Sequence, residues 1–321
     1  MRAFVTGAEG FIGRALAGRL RSDGWEVAGV DLVAVPERGV VAGDVTEPGP
    51  WQRAAAGTDV VFHTAAIVSN AHDLDASWRV NVVGTRRALD AAVAAGARRF
   101  VHLSSVRAFS DLGFPPGVDE AHPVRPDGNP YVDTKIASEQ VALQAHAAGE
   151  IECVTIRPGD VYGPGSRPWT VLPLEIIRSG RFVLPARGRG TFSPVYVDDL
   201  VAGLVLAATI PAAAGQVITL SGGADVPARE FFGHYFRMLG RRGPLCLPTA
   251  IAVAGARLVG GLERLRGRET EINATSIRYL ARPGGYSIAK ARRVLGYEPA
   301  IDLDEGMRRT EAWLRERGLL G

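Results

Sequence analysis

The chain has 321 residues, room for one large α/β domain with a smaller appendage or for two modest domains. Its 46% hydrophobic and 22% charged residues are those of an ordinary soluble globular protein. The net charge of +3 is small and the 37 basic residues are scattered, which argues against a nucleic-acid partner. The densest basic run, Leu262 to Arg268, is short and interrupted by Glu263.

Cys153 and Cys246 lie far apart in apolar surroundings and read as buried reduced thiols. The six histidines show no ligand spacing, so no metal site is expected. Residues 1–6 run straight into a strand-like stretch, so no signal peptide is expected. The longest apolar stretch, Leu247 to Leu262, is broken by Pro248, Gly255, Arg257, Gly260 and Gly261 and is too short for a bilayer. A cytoplasmic enzyme is the default.

In chain order, Arg2–Thr6, Glu26–Asp31, Val40–Asp44, Val60–Ala65, Phe100–Ser104 and Glu152–Arg157 read as strands. Phe11–Arg21, Asn81–Ala95 and Tyr131–Ala148 carry apolar residues at helical spacing. Wholly apolar strands separated by helices predict a doubly wound α/β fold, a parallel sheet covered on both faces. Residues 158–190 are rich in Pro and Gly and suggest an excursion from the sheet; Val195–Thr209 reads as a returning helix and Gln216–Leu220 as a last strand. Beyond Ser221 helical segments dominate. The expected division is a dinucleotide-binding domain over 1–160, completed by 193–220. Residues 161–192 and 221–321 form a smaller, mostly helical substrate-binding lobe.

Gly7, Gly10 and Gly13 in Thr6-Gly-Ala-Glu-Gly-Phe-Ile-Gly13 follow the first strand and open the first helix, through Phe11 and Ile12. Glycines there let the backbone approach a pyrophosphate, while the helix N-terminus offers free N–H groups and partial positive charge. Asp31 closes the second strand, where a carboxylate bonds ribose hydroxyls and repels a 2′-phosphate, favouring NAD over NADP. Arg38 is a cation within reach of the same pocket. Asp44-Val45 suits contact with the adenine, or Asp44 a helix cap.

Tyr131 and Lys135 stand four apart at a helix start, hence on one face. With 7 tyrosines and 2 lysines in the chain, a chance Tyr-x-x-x-Lys is expected only roughly 0.04 times. A tyrosine with a pKa near ~10 is a poor proton shuttle at neutral pH, and a neighbouring ammonium favours its phenolate. Ser105, past the fifth strand, supplies a hydroxyl suited to polarising a substrate carbonyl.

Together these motifs resemble the extended short-chain dehydrogenases/reductases, the NAD-dependent epimerase/dehydratase superfamily. The resemblance also rests on His63-Thr-Ala-Ala66, Asn81-Val-Val-Gly-Thr85, Ser104-Ser105, Arg157-Pro-Gly-Asp-Val-Tyr-Gly-Pro-Gly165 and Val195-Tyr-Val-Asp-Asp-Leu200. It implies Tyr131 as general acid/base, Lys135 as its activator and ribose anchor, and Ser105 as hydroxyl partner, with Ser104 the adjacent alternative. Ala65 and Ala66 would line the cofactor cleft, and Pro158 and Val161 would pack near the nicotinamide. Asn81 would sit beside the site, chiefly hydrogen-bonding backbone. A homodimer through a bundle including Asn81–Ala95 and Tyr131–Ala148 is also implied.

Two departures narrow the branch. The acidic pair that dehydratases carry after the catalytic hydroxyl is replaced by Val106 and Arg107, and the Arg-Asp of epimerases by the uncharged Thr191-Phe-Ser-Pro194, with Arg187 and Arg189 as partial compensation. The stretches from Phe62 to Ile67, Tyr131 to Lys135, Tyr286 to Pro299 and Glu305 to Trp313 are similar to bacterial 3β-hydroxysteroid dehydrogenase-like proteins. The expectation is an NAD-dependent dehydrogenase or ketoreductase acting on a secondary alcohol or ketone of an apolar, steroid-like or natural-product substrate. Leu247–Leu262 suits a hydrophobic substrate or membrane-surface contact, though ordinary helix packing explains it as well. The alternatives are a nucleotide-sugar 4-epimerase or 4-ketoreductase, and a non-catalytic dinucleotide-binding sensor. An uncharged wall beside Tyr131 would favour the apolar substrate.

Overall fold

The computed structural model describes residues 1–70, 72–111, 115, 117–265 and 273–320, the side chains of 262–265 excepted. The apolar runs form β1 (Arg2–Thr6), β2 (Glu26–Asp31), β3 (Val40–Ala42), β4 (Val60–His63), β5 (Arg99–Leu103) and β6 (Glu152–Pro158). Between them lie α1 (Phe11–Ser22), α2 (Leu74–Trp78), α3 (Gly84–Ala94) and α4 (Pro130–Ala147). The chain leaves the sheet through β7 (Asp160–Tyr162), α5 (Leu172–Arg178), β8 (Val183–Leu184), β9 (Thr191–Phe192) and β10 (Pro194–Tyr196). It returns by α6 (Val197–Thr209) to β11 (Val217–Leu220). Beyond lie β12 (Val226–Pro227), α7 (Ala228–Met238), β13 (Leu245–Cys246), α8 (Thr249–Leu265), α9 (Ala274–Tyr279), α10 (Ala289–Leu295) and α11 (Leu303–Glu316).

Seven parallel strands pair in the order β11-β6-β5-β4-β1-β2-β3. Every residue of β4 and β5 is buried, which is why these strands show no polar alternation. The order reverses beside β1, so the loops leaving β1 and β4 part and open a crevice at the carboxyl ends of the strands. No described helix is long and apolar enough to cross a membrane.

Several boundaries differ from expectation, each for a local reason. β3 stops at Ala42 because Asp44 Oδ1 accepts from Thr46 N (2.8 Å) and turns the chain. β4 stops at His63, where the Thr64 hydroxyl donates to the Thr6 carbonyl (2.7 Å). The helix expected from Asn81 begins at Leu74, capped by Asp73, and passes through a wide π-turn at Arg79–Val83 before α3. Val195 and Tyr196 belong to β10, parallel to β7, and α6 starts only at Val197. The excursion and the region after Ser221 carry short ladders, β9 with β12 and β8 with β13. Cys246 is only half-buried, unlike Cys153.

The lobe is joined to the sheet by specific contacts. Both Asp199 carboxylate oxygens, at the start of α6, accept backbone amides of Ala300 and Ile301 (2.9 and 3.0 Å). Val118 exchanges backbone bonds with Gly285 and Ser287 (3.1 and 2.8 Å), and Glu120 Oε1 accepts from Thr219 N (2.6 Å) on β11.

Candidate functional site

The glycine loop is shaped by two contacts that no side chain could share. Gly7 adopts φ +67°, and a Cβ there would lie 2.9 Å from the Ala65 backbone. A Cβ on Gly13 would fall 2.1 Å from the Gly7 carbonyl oxygen. Gly10, in extended conformation, caps α1 with no side chain, and the first turn holds no acidic residue. The first amides of α1, from Phe11 onward, are thus left for an anion. Asp31 ends β2 and accepts from Glu9 N and Leu32 N (both 2.8 Å). Arg38 is held by Glu9 through a two-point ion pair (3.0 and 2.6 Å). Asp44 is exposed, whereas the Val45 side chain is buried against Gly84. Ala65 and Ala66 are half-buried beside the loop, and Pro158 and Val161 are buried at the end of β6 and in β7. This cradle fits a dinucleotide.

Asn81 sits in the π-turn and bridges two elements. Its amide oxygen accepts from Ile67 N (2.9 Å), and its nitrogen donates to the Ile67 carbonyl and to Thr134 Oγ1 (3.2 and 3.0 Å). The loop after β4 is thereby fixed against α4.

At the head of α4, Asn129 Oδ1 accepts from Tyr131 N (2.9 Å), and Pro130 occupies the first turn. The Tyr131 phenol lies beside Ser105, which favours its ionised form and also caps the short helical turn Val106–Phe109. Ser104 instead donates to Glu139 Oε1 (2.5 Å), and Glu139 holds Arg157 by two bonds (2.8 and 2.6 Å). Of the two serines, Ser105 is the one at the phenol.

Lys135 is buried one turn after Tyr131 on α4. Its Nζ donates to the Leu103 carbonyl at the end of β5 (2.8 Å), and burial lowers its pKa to about 8 against the pull of Glu139. Burial pushes the Tyr131 phenol above its ordinary range; the neighbouring Ser105 hydroxyl and the Arg107 charge pull it back, while Asp111 adds to the rise. Arg107 is a further cation acting on the phenol, one the sequence reading did not assign.

Beneath Lys135, His63 and His102 stack at 5.7 Å. Burial, reinforced by the Lys135 charge, holds His63 at about 3 and His102 well below its usual range, so both are neutral. Thr85 Oγ1 donates to the Asn81 carbonyl (2.6 Å), so it receives the His63 Nε2 proton, leaving Nδ1 to accept from Thr6.

The sequence profile of the NAD dependent epimerase/dehydratase family matches residues 3–220. The chain belongs to this family. It is 31% identical to a 2-alkyl-3-oxoalkanoate reductase of Stenotrophomonas maltophilia, across 97% of this chain and 99% of that one. It is 30% identical to a 3 beta-hydroxysteroid dehydrogenase/Delta 5-->4-isomerase of Mycobacterium tuberculosis, across 95% and 88% respectively. Among solved structures, MoeE5 in complex with UDP-glucuronic acid and NAD matches with a TM-score of 0.79 and 26% identity, across 99% and 100%. The protein is thus an NAD-dependent epimerase/dehydratase-family oxidoreductase.

The wall beside Tyr131 in this epimerase/dehydratase-family enzyme is not uncharged. Arg107 lies 5.2 Å from the Tyr131 ring centre and pairs with the buried Asp111. Deeper in the lobe, Arg282 donates to Asp160 Oδ2 (2.6 Å), and the Tyr279 hydroxyl donates to the other oxygen of that carboxylate. Arg187 and Arg189 are exposed. Sequence reasoning noted Arg107 only as a missing acid and passed over Asp111, Glu139 and Arg282. Glu139, one helical turn after Lys135, was accessible to the same spacing argument; Arg282 and Asp160, 122 residues apart, offer no local signal.

Proposed function

We propose that this enzyme interconverts a secondary alcohol and a ketone on an apolar, steroid-like or natural-product substrate, with Tyr131 exchanging the proton. The observation that carries the reading is the placement of Ser105 beside the Tyr131 phenol, whose ionised form it favours, with Lys135 buried one turn away. Bound at the cradle, NADH would supply the hydride to the substrate carbon, or NAD would accept it in the reverse direction. In the reducing direction Tyr131 Oη gives its proton to the carbonyl oxygen, leaving an alcohol and a phenolate that water reprotonates. Ser105 bonds the same substrate oxygen, and the Lys135 ammonium stabilises the phenolate and holds the nicotinamide ribose. Gly7, Gly10, Phe11, Ile12 and Gly13 hold the pyrophosphate, and Asp31 the adenosine ribose. Asp44 and Val45 border the adenine; Ala65, Ala66, Pro158 and Val161 line the nicotinamide end, and Ser104 and Asn81 brace it. Residues 1–160 with 193–220 act as the dinucleotide domain, and 161–192 with 221–321 as the substrate lobe, in a cytoplasmic homodimer.

The apolar substrate is supported by the names of the two relatives, a reductase of oxoalkanoates and a hydroxysteroid dehydrogenase. It is supported too by pairing within the wall: Arg107 and Arg282 each already hold a carboxylate. A nucleotide-sugar 4-epimerase or 4-ketoreductase is the second reading, favoured by the likeness to MoeE5. A panel of sterols, 3-oxoalkanoates and nucleotide sugars, read by NADH absorbance, separates them. Thermal stabilisation by millimolar UDP would shift the reading to the second. Tyr131→Phe is expected to lower turnover by about 10²–10⁴-fold while NADH binding persists, and unchanged turnover would sink the assignment.

A further inference from the structure

Arg107 has no part in the hydride transfer described above, yet its surroundings are built around it. It sits two residues after Ser105, on the helical turn that Ser105 caps. Its Nε donates to both Asp111 oxygens (3.1 Å each), and Nη2 donates to Oδ2. Asp111 is itself fixed, its backbone amide donating to Asp127 Oδ2 (3.0 Å). The guanidinium therefore has a set orientation.

Three further contacts give that orientation a purpose. The guanidinium carbon lies 5.2 Å from the Tyr131 ring centre and 5.1 Å from that of Tyr279, at the end of α9 in the lobe. Arg107 Nη1 also donates to Asn70 Oδ1 (2.9 Å), the same oxygen that accepts from Asn129 Nδ2 (3.0 Å). Asn129 in turn caps Tyr131 N. Arg107 thus meets Tyr131 at its ring face directly and at its backbone through two asparagines.

We propose that Arg107 is a positioning residue that holds the Tyr131 phenol against Ser105 and, through Tyr279, ties that placement to the seating of the lobe. The proposal rests on Tyr131 being the proton-exchanging group. A planar fork that stacks on a ring and bonds two partners at once is a geometry that lysine cannot copy. Charge and shape are therefore separable by substitution.

The groups facing Tyr131 are Ser105, Arg107 and Asp111, with Lys135 on its own helix; those facing Arg107 are Asp111, Tyr131, Tyr279 and Tyr286. The Arg107 charge favours the phenolate and Asp111 opposes it. Loss of the cation removes the first effect and leaves the second, so both move the Tyr131 pKa upward.

The test compares wild type, Arg107→Gln and Arg107→Lys, all with NAD bound. Tyr131 ionisation is read as phenolate difference absorbance against Tyr131→Phe, alongside kcat and KM. Arg107→Gln is expected to raise the Tyr131 pKa by about one unit or more and to lower kcat by about tenfold or more, with little change in cofactor KM. Arg107→Lys should restore much of the pKa but not kcat, because the stack and fork are gone. A folded Arg107→Gln with wild-type ionisation and kcat overturns the proposal, as does full kcat in Arg107→Lys. If Arg107→Gln fails to fold, Arg107→Lys alone decides through kcat. Turnover surviving in Tyr131→Phe would instead reject the underlying reading of Tyr131.

Discussion

The cofactor cradle and the lobe seam face the same crevice but are held by different means. At the cradle, backbone does most of the shaping: Gly7 and Gly13 allow contacts that a Cβ forbids, and the amides of α1 are left open. At the seam, buried charged side chains do it: Arg107 with Asp111, and Arg282 with Asp160. A backbone cradle suits a ligand that is the same in every turnover. Paired side chains let a wall be recomposed one residue at a time, which suits the part of the site that chooses a substrate.

That contrast predicts where damage will be largest. Asp160→Asn leaves the Arg282 guanidinium buried without its carboxylate and is expected to lower unfolding stability by about 3–5 kcal/mol in urea titration. Asp160→Asn with Arg282→Met should recover much of that loss, since it removes the orphaned charge as well. Asp160 also accepts from Ser193 N (3.0 Å) and from Tyr279, and no recovery would mean that it acts through those bonds and not through the ion pair. At the cradle, Gly13→Ala should cost about 1–3 kcal/mol of stability and weaken NADH binding in fluorescence titration. If stability falls while affinity stays, the glycine serves packing alone. The smallest effect is expected at Glu9→Gln, which frees Arg38 for a 2′-phosphate while Asp31 remains. The NADP Kd should fall only about two- to fivefold, and an unchanged Kd would show that Arg38 does not reach the phosphate.

The same contrast explains what could be read from sequence. The strands, the glycine loop followed by Asp31, and the Tyr131–Lys135 pair are each marked by residues close along the chain, so spacing and periodicity report them. The division between Ser104 and Ser105 depends on Glu139, which claims the first serine and leaves the second at the phenol. For Lys135, helical spacing places two side chains on one face without saying where the longer one ends. Its ammonium found the Leu103 carbonyl, and the position over the Tyr131 ring went to Arg107. Asp160 meets Arg282 only after the lobe has folded back, and no periodicity marks such a meeting.

The placement of β11 has a consequence for synthesis. The strand that closes the β6 edge is made only after the whole excursion from β7 to β10 has been translated. Until residue 220 emerges, a nascent chain carries the unpaired edge of β6, a template for wrong pairing. The ribosome therefore cannot release a finished cofactor domain ahead of the excursion, and a fragment ending near residue 160 should be prone to aggregate.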